Sequence, residues 1–212
     1  MFRIQREELI DELIKKGISD LAVIKAMGNV EREKFIPATL RHLAYKDVAL
    51  PIGYEQTISQ PYTVAYMTQL LNIKKTGLKI LEIGTGSGYQ AAILNEMGCD
   101  VYSIERNLDL HHMATKLFDK LGIRVHAKYG DGTIGWAEFA PFDGIIVTAG
   151  SPTVPKKLKD QLIVGGRMVI PVGDRISQKL YLLIKKSDTE FDSEVIPEFT
   201  FVPLIGREGW KM

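Results

Sequence analysis

The 212-residue chain reads as an α/β fold, doubly wound around a mostly parallel sheet of about seven strands, with a helical N-terminal extension and an antiparallel C-terminal edge. Three observations lead there. From residue 78 to 173, short apolar runs alternate with stretches of helical period. A glycine-rich turn, Gly84 to Gly88, stands where the first of those runs enters a helix. The last apolar runs follow one another with no helix between them, as strands at an antiparallel edge do.

Taken in order, Ile4, Leu9, Ile10, Leu13 and Ile14 fall near helical spacing, and Ser19 is placed to cap a second helix ending at Gly28. Residues 35–62 (FIPATLRHLAYKDVALPIGYEQTISQPY) are too irregular for one long element and too apolar for a solvated linker. They read as a structured extension packed on the main body. Pro61 suits the first position of a helix running through Leu71. LKILEIG is then a strand closed by glycine, YQAAILNEMG a helix and DVYSIE a strand. NLDLHHMATKLFDKLG is an amphipathic helix ending at Gly122, and IRVHAKYGDG a strand with its turn. FDGIIVTAG reads as a buried strand, VPKKLKDQLIVGG as a helix and GRMVIPVG as a strand. QKLYLLIKKS and FTFVPL, parted by acidic turn residues, are expected to pair antiparallel. One domain is expected over 1–212, with 1–75 as the extension and 76–212 as the ligand-binding sheet and its edge.

Composition narrows the function classes. Lys and Arg number 27 against 26 Asp and Glu, a formal charge of +1, which argues against generic binding to a nucleic-acid backbone. The lone Cys99 allows no internal disulfide, no multi-thiolate metal site and no cysteine-ligated cluster. The charged start MFRIQREELIDELIKK has no signal-peptide core, and no apolar run approaches ~18 residues. A cytoplasmic monomer without membrane attachment is the expectation. His42, His111, His112 and His126 show no metal-ligand spacing with carboxylates, so no metal is expected.

The turn Glu82-Ile83-Gly84-Thr85-Gly86-Ser87-Gly88 carries the most information. A dinucleotide turn needs G-x-G-x-x-G/A, but Tyr89 occupies the third glycine's place. S-adenosylmethionine has no phosphate, and its amino-acid group and sulfonium suit a nearby carboxylate such as Glu82. A purely structural turn stays open on these residues alone. Glu105 ends the second strand, where a carboxylate can accept from both ribose hydroxyls. Asp131-Gly132 follows the third strand and can pair with an adenine edge, although Asp-Gly is also a common plain turn.

The chain resembles the protein-L-isoaspartate O-methyltransferase family. LEIGTGSGYQAAIL is similar to that family's S-adenosylmethionine motif, and QTISQPY resembles the segment holding its active-site serine, here Ser59. AYKDVALPIG, GDG at 130–132, APFDGIIVTAGSP and FVPLIG extend the resemblance over roughly residues 30 to 206. Two positions depart from the pattern: Glu31, where Pro is usual, and Glu55, where Gly is usual and positive φ comes at a cost.

The resemblance implies methyl transfer from S-adenosylmethionine to the free α-carboxylate of L-isoaspartyl residues in damaged proteins and peptides. It makes Ser59 the catalytic residue, with Thr57 and the main chain of Ile58 on the cofactor side and Leu204 walling the site. The cofactor set becomes Thr57, Ile58, Glu82, Gly84, Thr85, Gly86, Ser87, Gly88, Glu105, Asp131 and Gly132. It also implies that the last two strands depart from the usual methyltransferase order. Read without the resemblance, Ser59 is a candidate cap for the helix at Pro61. Trp136 and Trp210 are open between core filling and substrate contact.

Overall fold

The computed structural model describes residues 2–211, and all their side chains but those of Pro197 and Glu198. Met1 and Met212, at the limits of the expected domain, lie outside the described residues. The chain opens with α1 (Arg3–Lys15), α2 (Leu21–Asn29), two 3-10 turns (Arg32–Phe35, Ala38–Leu43), the hairpin β1 (Leu50–Gly53) and β2 (Gln56–Ile58), and α3 (Pro61–Leu71). Then come β3 (Lys79–Ile83), α4 (Tyr89–Glu96), β4 (Asp100–Glu105), α5 (Leu108–Leu121) and β5 (Val125–Tyr129). Two short 3-10 turns (Gly132–Ile134, Ala137–Phe139) lead to β6 (Phe142–Val147), α6 (Lys156–Asp160), β7 (Leu162–Gly173), β8 (Gln178–Lys185) and β9 (Phe191–Phe199).

The main sheet has seven strands in the order β5-β4-β3-β6-β7-β8-β9. Strands β5 to β7 are parallel, and β8 and β9 add antiparallel, so the expected architecture is the one observed. The last strands lie in chain order because each is joined to its neighbour by a short turn. The chain leaves β3 toward β4 on one side and returns to β6 on the other, so the switch point lies between β3 and β6.

On one face α3, α4 and α5 bury Leu71, Ala91, Leu94 and Phe118 against Ile80, Val101, Ile146 and Val169. The other face is thinly covered by α6, the 3-10 turns and the C-terminal tail, through Leu158, Phe139 and Leu204. Trp136 packs edge-on against Tyr102 and Phe139 there, which settles it as core filling. Trp210 donates from Nε1 to the Gly150 carbonyl at 3.1 Å and so anchors the tail.

Three local readings are corrected. Asp20, not Ser19, caps α2: its Oδ1 accepts from Ala22 N at 2.9 Å and Val23 N at 3.3 Å. Helix α1 forms over the five apolar positions as their spacing predicts, and it buries Leu9 and Leu13. The helix expected over VPKKLKDQLIVGG is only α6, and Leu162 onward already belongs to β7, which pairs with β6 at Leu162 and again from Arg167, with a register shift between the two. FTFVPL is not the edge strand. That strand is β9, and the tail beyond it turns back over the sheet, where Leu204 N donates to Gly150 O at 2.7 Å.

Within the N-terminal extension one carboxylate joins three separate stretches. Asp47 accepts from Tyr62 N at 2.7 Å, from Gln60 Nε2 at 2.9 Å and from Lys16 Nζ at 2.6 Å. It therefore caps α3 from a distance, because the N-cap residue Gln60 makes no cap bond of its own and Ser59 is not the cap. Burial alone would raise the Asp47 pKa, but Lys16, the Tyr62 N–H and Gln60 together hold it below the usual value. Asp47→Ala should cost about 1 kcal/mol in denaturant unfolding at neutral pH. With the folded-state pKa depressed, the difference from wild type is full above about pH 4 and shrinks as pH falls through the folded value.

Candidate active site

A cleft of about 600 Å³ opens at the carboxyl ends of β3, β4 and β6, where open α/β sheets bind ligands. Its floor is the turn after β3. Gly84, Gly86 and Gly88 have φ of +97°, +52° and +86°. At two of them space is as decisive as conformation. A Cβ on Gly84 would lie 2.5 Å from Thr148 Oγ1, and one on Gly88 would lie 2.6 Å from the Phe118 ring. The backbone thus runs closer to its neighbours than a side chain permits. Thr148, which the sequence reading missed, donates from Oγ1 to the carbonyls of Ile83 (3.0 Å) and Gly84 (2.8 Å). Its signal was present in the motif APFDGIIVTAGSP, directly after the strand beside the switch point.

The two acidic positions separate in role. Glu105, only 7% exposed, accepts from Gly86 N on Oε2 and from Asn107 N on Oε1, each at 2.8 Å. Each oxygen keeps a second lone pair for a ligand hydroxyl. Glu82 is fully buried beneath the turn. Its Oε2 accepts from Ser103 Oγ, which lies 2.5 Å from Thr85 Oγ1, while Oε1 is buried without a partner. Glu82 therefore reaches the turn through Ser103 and Thr85. Ser87 Oγ accepts from Tyr89 N at 3.3 Å as the chain enters α4.

Opposite the turn, Thr57, Ile58 and Ser59 line the same cleft. Ile58 is buried and pairs with Leu50 in the β1–β2 hairpin, and Thr57 is exposed beside it. The hairpin tip carries Tyr54 and Glu55 at φ +54° and +57°, so the left-handed backbone expected to trouble Glu55 is adopted by two consecutive non-glycine residues. Such residues cost roughly 1–2 kcal/mol each, and both border the cleft. Arg32, unsuspected from sequence, is fully buried behind the segment and donates from Nη2 to the Ser59 carbonyl at 2.8 Å.

Asp131 falls outside the main cleft. Its Oδ1 accepts from Thr133 N and Thr133 Oγ1, its Oδ2 from Arg207 N at 2.8 Å, and it borders a neighbouring depression. It clamps the tail, whose Leu204 walls the cleft. Gly132 does line the cleft, and a Cβ there would meet Ile83 Cγ2 at 2.4 Å. Among the described residues no group of three or more His, Cys, Asp and Glu is placed to hold a metal ion.

Burial pushes the Glu82 carboxyl up to about 8, with the Ser103 hydroxyl opposing and Glu105 reinforcing the shift. A raised acid favours the folded state below the unfolded value near 4.3, and that contribution declines as pH rises to about 8. Glu82→Gln, which keeps the shape and removes the titration, should flatten this decline. Denaturant unfolding at pH 5 and pH 8.5 checks it: the variant's stability relative to wild type should be greater at the higher pH.

Comparison with known proteins agrees with this geometry. The sequence model of the family described as Protein-L-isoaspartate(D-aspartate) O-methyltransferase (PCMT) matches residues 4–209. A protein-L-isoaspartate O-methyltransferase of Chlorobaculum tepidum is 52% identical over 206 residues, covering 97% of this chain and 96% of that protein. One of Flavobacterium johnsoniae is 50% identical over 201 residues, covering 94% and 93%. Among solved structures, a protein-L-isoaspartate O-methyltransferase superposes with a TM-score of 0.87 at 32% identity, covering 96% of this chain and 67% of that one. A Plasmodium falciparum protein described as a beta-aspartate methyltransferase (PCMT), in complex with S-adenosyl-L-homocysteine, gives 0.81 at 26% identity, covering 94% and 98%. Matched from residue 4 to 209, and half identical to relatives along nearly their whole length, this chain belongs to the protein-L-isoaspartate(D-aspartate) O-methyltransferase family.

Proposed function

We propose that this enzyme transfers the methyl group of S-adenosylmethionine to the free α-carboxylate of L-isoaspartyl residues in damaged proteins and peptides, starting their repair through a methyl ester and a succinimide. The observation that carries the reading is that the QTISQPY segment and the glycine turn, far apart in sequence, line one cleft. That cleft falls in the size range of small-molecule sites. Its glycine cradle and the free lone pairs of Glu105 suit a nucleoside diol with no phosphate. S-adenosylmethionine supplies an electrophilic methyl on a sulfonium centre.

The chain's own residues then have limited tasks. The substrate carboxylate has a pKa of roughly 3.3–3.7 and is already ionised, so no general base is required. The Ser59 hydroxyl holds it by a hydrogen bond without neutralising it, and Thr57 with the Ile58 main chain borders the cofactor side. Glu105 accepts from the ribose hydroxyls, and the walls formed by Leu204 and its neighbours limit water. Orientation of this kind can contribute ~7–11 kcal/mol to the rate.

The extension, residues 1–75, carries the substrate-side segment, and 76–212 holds the cofactor, the two acting as one catalytic domain. The proposed partners are isoaspartyl polypeptides and no nucleic acid, with the enzyme a monomer. No helix among the described residues is long and apolar enough to cross a membrane, and we place the reaction in the cytoplasm.

Labelled methyl transfer to paired synthetic peptides tests the activity. Base-labile label should appear on the L-isoaspartyl peptide only, and equal labelling of the aspartyl peptide would refute the substrate assignment. Ser59→Ala should slow turnover by about 10²-fold with little change in S-adenosylmethionine affinity. Glu105→Ala should weaken that affinity by about tenfold or more, as calorimetry would record.

A further inference from the structure

Arg32 is a charged side chain with no exposed surface and no carboxylate within ion-pair distance among the described residues. Its Nε donates to Ala44 O at 3.0 Å, and its Nη2 to Ser59 O at 2.8 Å and, at the longer 3.4 Å, to Val48 O. Its Cζ lies 4.9 Å from the centroid of the Tyr89 ring, and Tyr89 is the first residue of α4, directly after Gly88. Nη1 is buried without a partner.

Burying a guanidinium this way is expensive, and an unpartnered N–H adds to the cost. A stability argument would favour an apolar residue here, so the arrangement calls for another explanation. A planar fork of five donors can reach the carbonyls of residues 44, 48 and 59 while its cationic carbon stands over an aromatic ring. Of those groups, Ser59 and Tyr89 line the cleft, and Ala44 and Val48 lie behind it. Ser59 belongs to the proposed substrate side, and Tyr89 continues the glycine turn on the proposed cofactor side.

We propose that Arg32 is a positioning residue for the methyl transfer: it fixes the Ser59 peptide plane against the helix that follows the cofactor turn, and so sets where the Ser59 hydroxyl stands. The pairing of Leu50 with Ile58 holds the chain up to Ser59. Anchoring the Ser59 carbonyl settles the remaining torsion before Pro61 starts α3. Displacement of a positioned group by about 1 Å can cost ~10²-fold in rate. Arg32 itself makes no hydrogen bond to Glu105 or to the glycine turn, so its effect is expected on the Ser59 side more than on cofactor affinity. The inference rests on the reading that Ser59 holds the substrate carboxylate.

The test is a double-mutant cycle on the full chain, with Arg32→Lys and Ser59→Ala made singly and together, read as kcat and as KM for S-adenosylmethionine and an L-isoaspartyl peptide. Arg32→Lys should lower kcat at least about tenfold with the KM for S-adenosylmethionine within about twofold. In the Ser59→Ala background the same substitution should lower kcat less than about twofold. An equal loss in both backgrounds, or a rise in the S-adenosylmethionine KM that accounts for the whole effect, overturns the proposal. Ser59→Ala alone reports on the underlying reading, so failure of Ser59 as a contact is seen separately. If Arg32→Lys does not fold by circular dichroism, Tyr89→Leu removes the aromatic ring beneath the guanidinium from the other side. The same dependence on Ser59 is then expected, and its absence refutes the coupling.

Discussion

The guanidinium of Arg32 is a charge that the fold encloses without an ion-pair partner among the described residues, and it touches one residue from each side of the cleft, Ser59 and Tyr89. Its bonds run to the 44–48 stretch and to Ser59, and its face lies on Tyr89. Burial pulls its pKa down while Tyr89 opposes that shift, yet a guanidinium keeps its proton in a protein interior. The chain around it is therefore committed to supplying carbonyls. Asp47 completes the arrangement by joining α1, through Lys16, to the start of α3.

The cofactor wall depends on close approach. Gly84 lies against Thr148, and Gly88 against Phe118, with less room than a methyl group needs. Beneath the turn, the chain from Glu82 through Ser103 to Thr85 spans β3 and β4 and fixes the turn to the sheet. Glu105 holds Gly86 from the second strand while leaving part of its acceptor capacity open to the cleft. The two carboxylates thus divide their work by burial. One, raised to about 8, shapes the turn from below, and the other stands where a ligand can meet it.

Most strands, and every helix of eight or more residues, were legible from periodicity, because an amphipathic stripe or a buried run is a local property of the chain. The readings that failed did so for lack of partners. VPKKLKDQLIVGG has the spacing of a helix until β6 recruits Leu162 onward into a ladder. Ser19 and Asp20 are both good caps, and only the accepted N–H bonds of Ala22 and Val23 distinguish them. FTFVPL has strand composition, but Gly150 draws it back across the sheet as the wall of the cleft. Asp131 follows β5 as read, and the tail contact it makes through Arg207 N was not legible, because that partner lies 76 residues away.

The alternation of apolar runs and helical stretches and the glycine spacing, with Tyr89 in the dinucleotide position, were readable from the residues alone and specify the sheet and the turn, while the QTISQPY segment spoke only through its resemblance to the family's serine segment. These are local features, written in neighbouring residues. The shape of the site came from folding. Arg32 in a linear sequence is one of 27 basic residues, indistinguishable from a solvated surface charge. Its importance lies in carbonyls at residues 44, 48 and 59 and a ring at 89, which no spacing rule connects. Long-range packing brings them within 5 Å of one guanidinium, and the low dielectric there makes each of those bonds count.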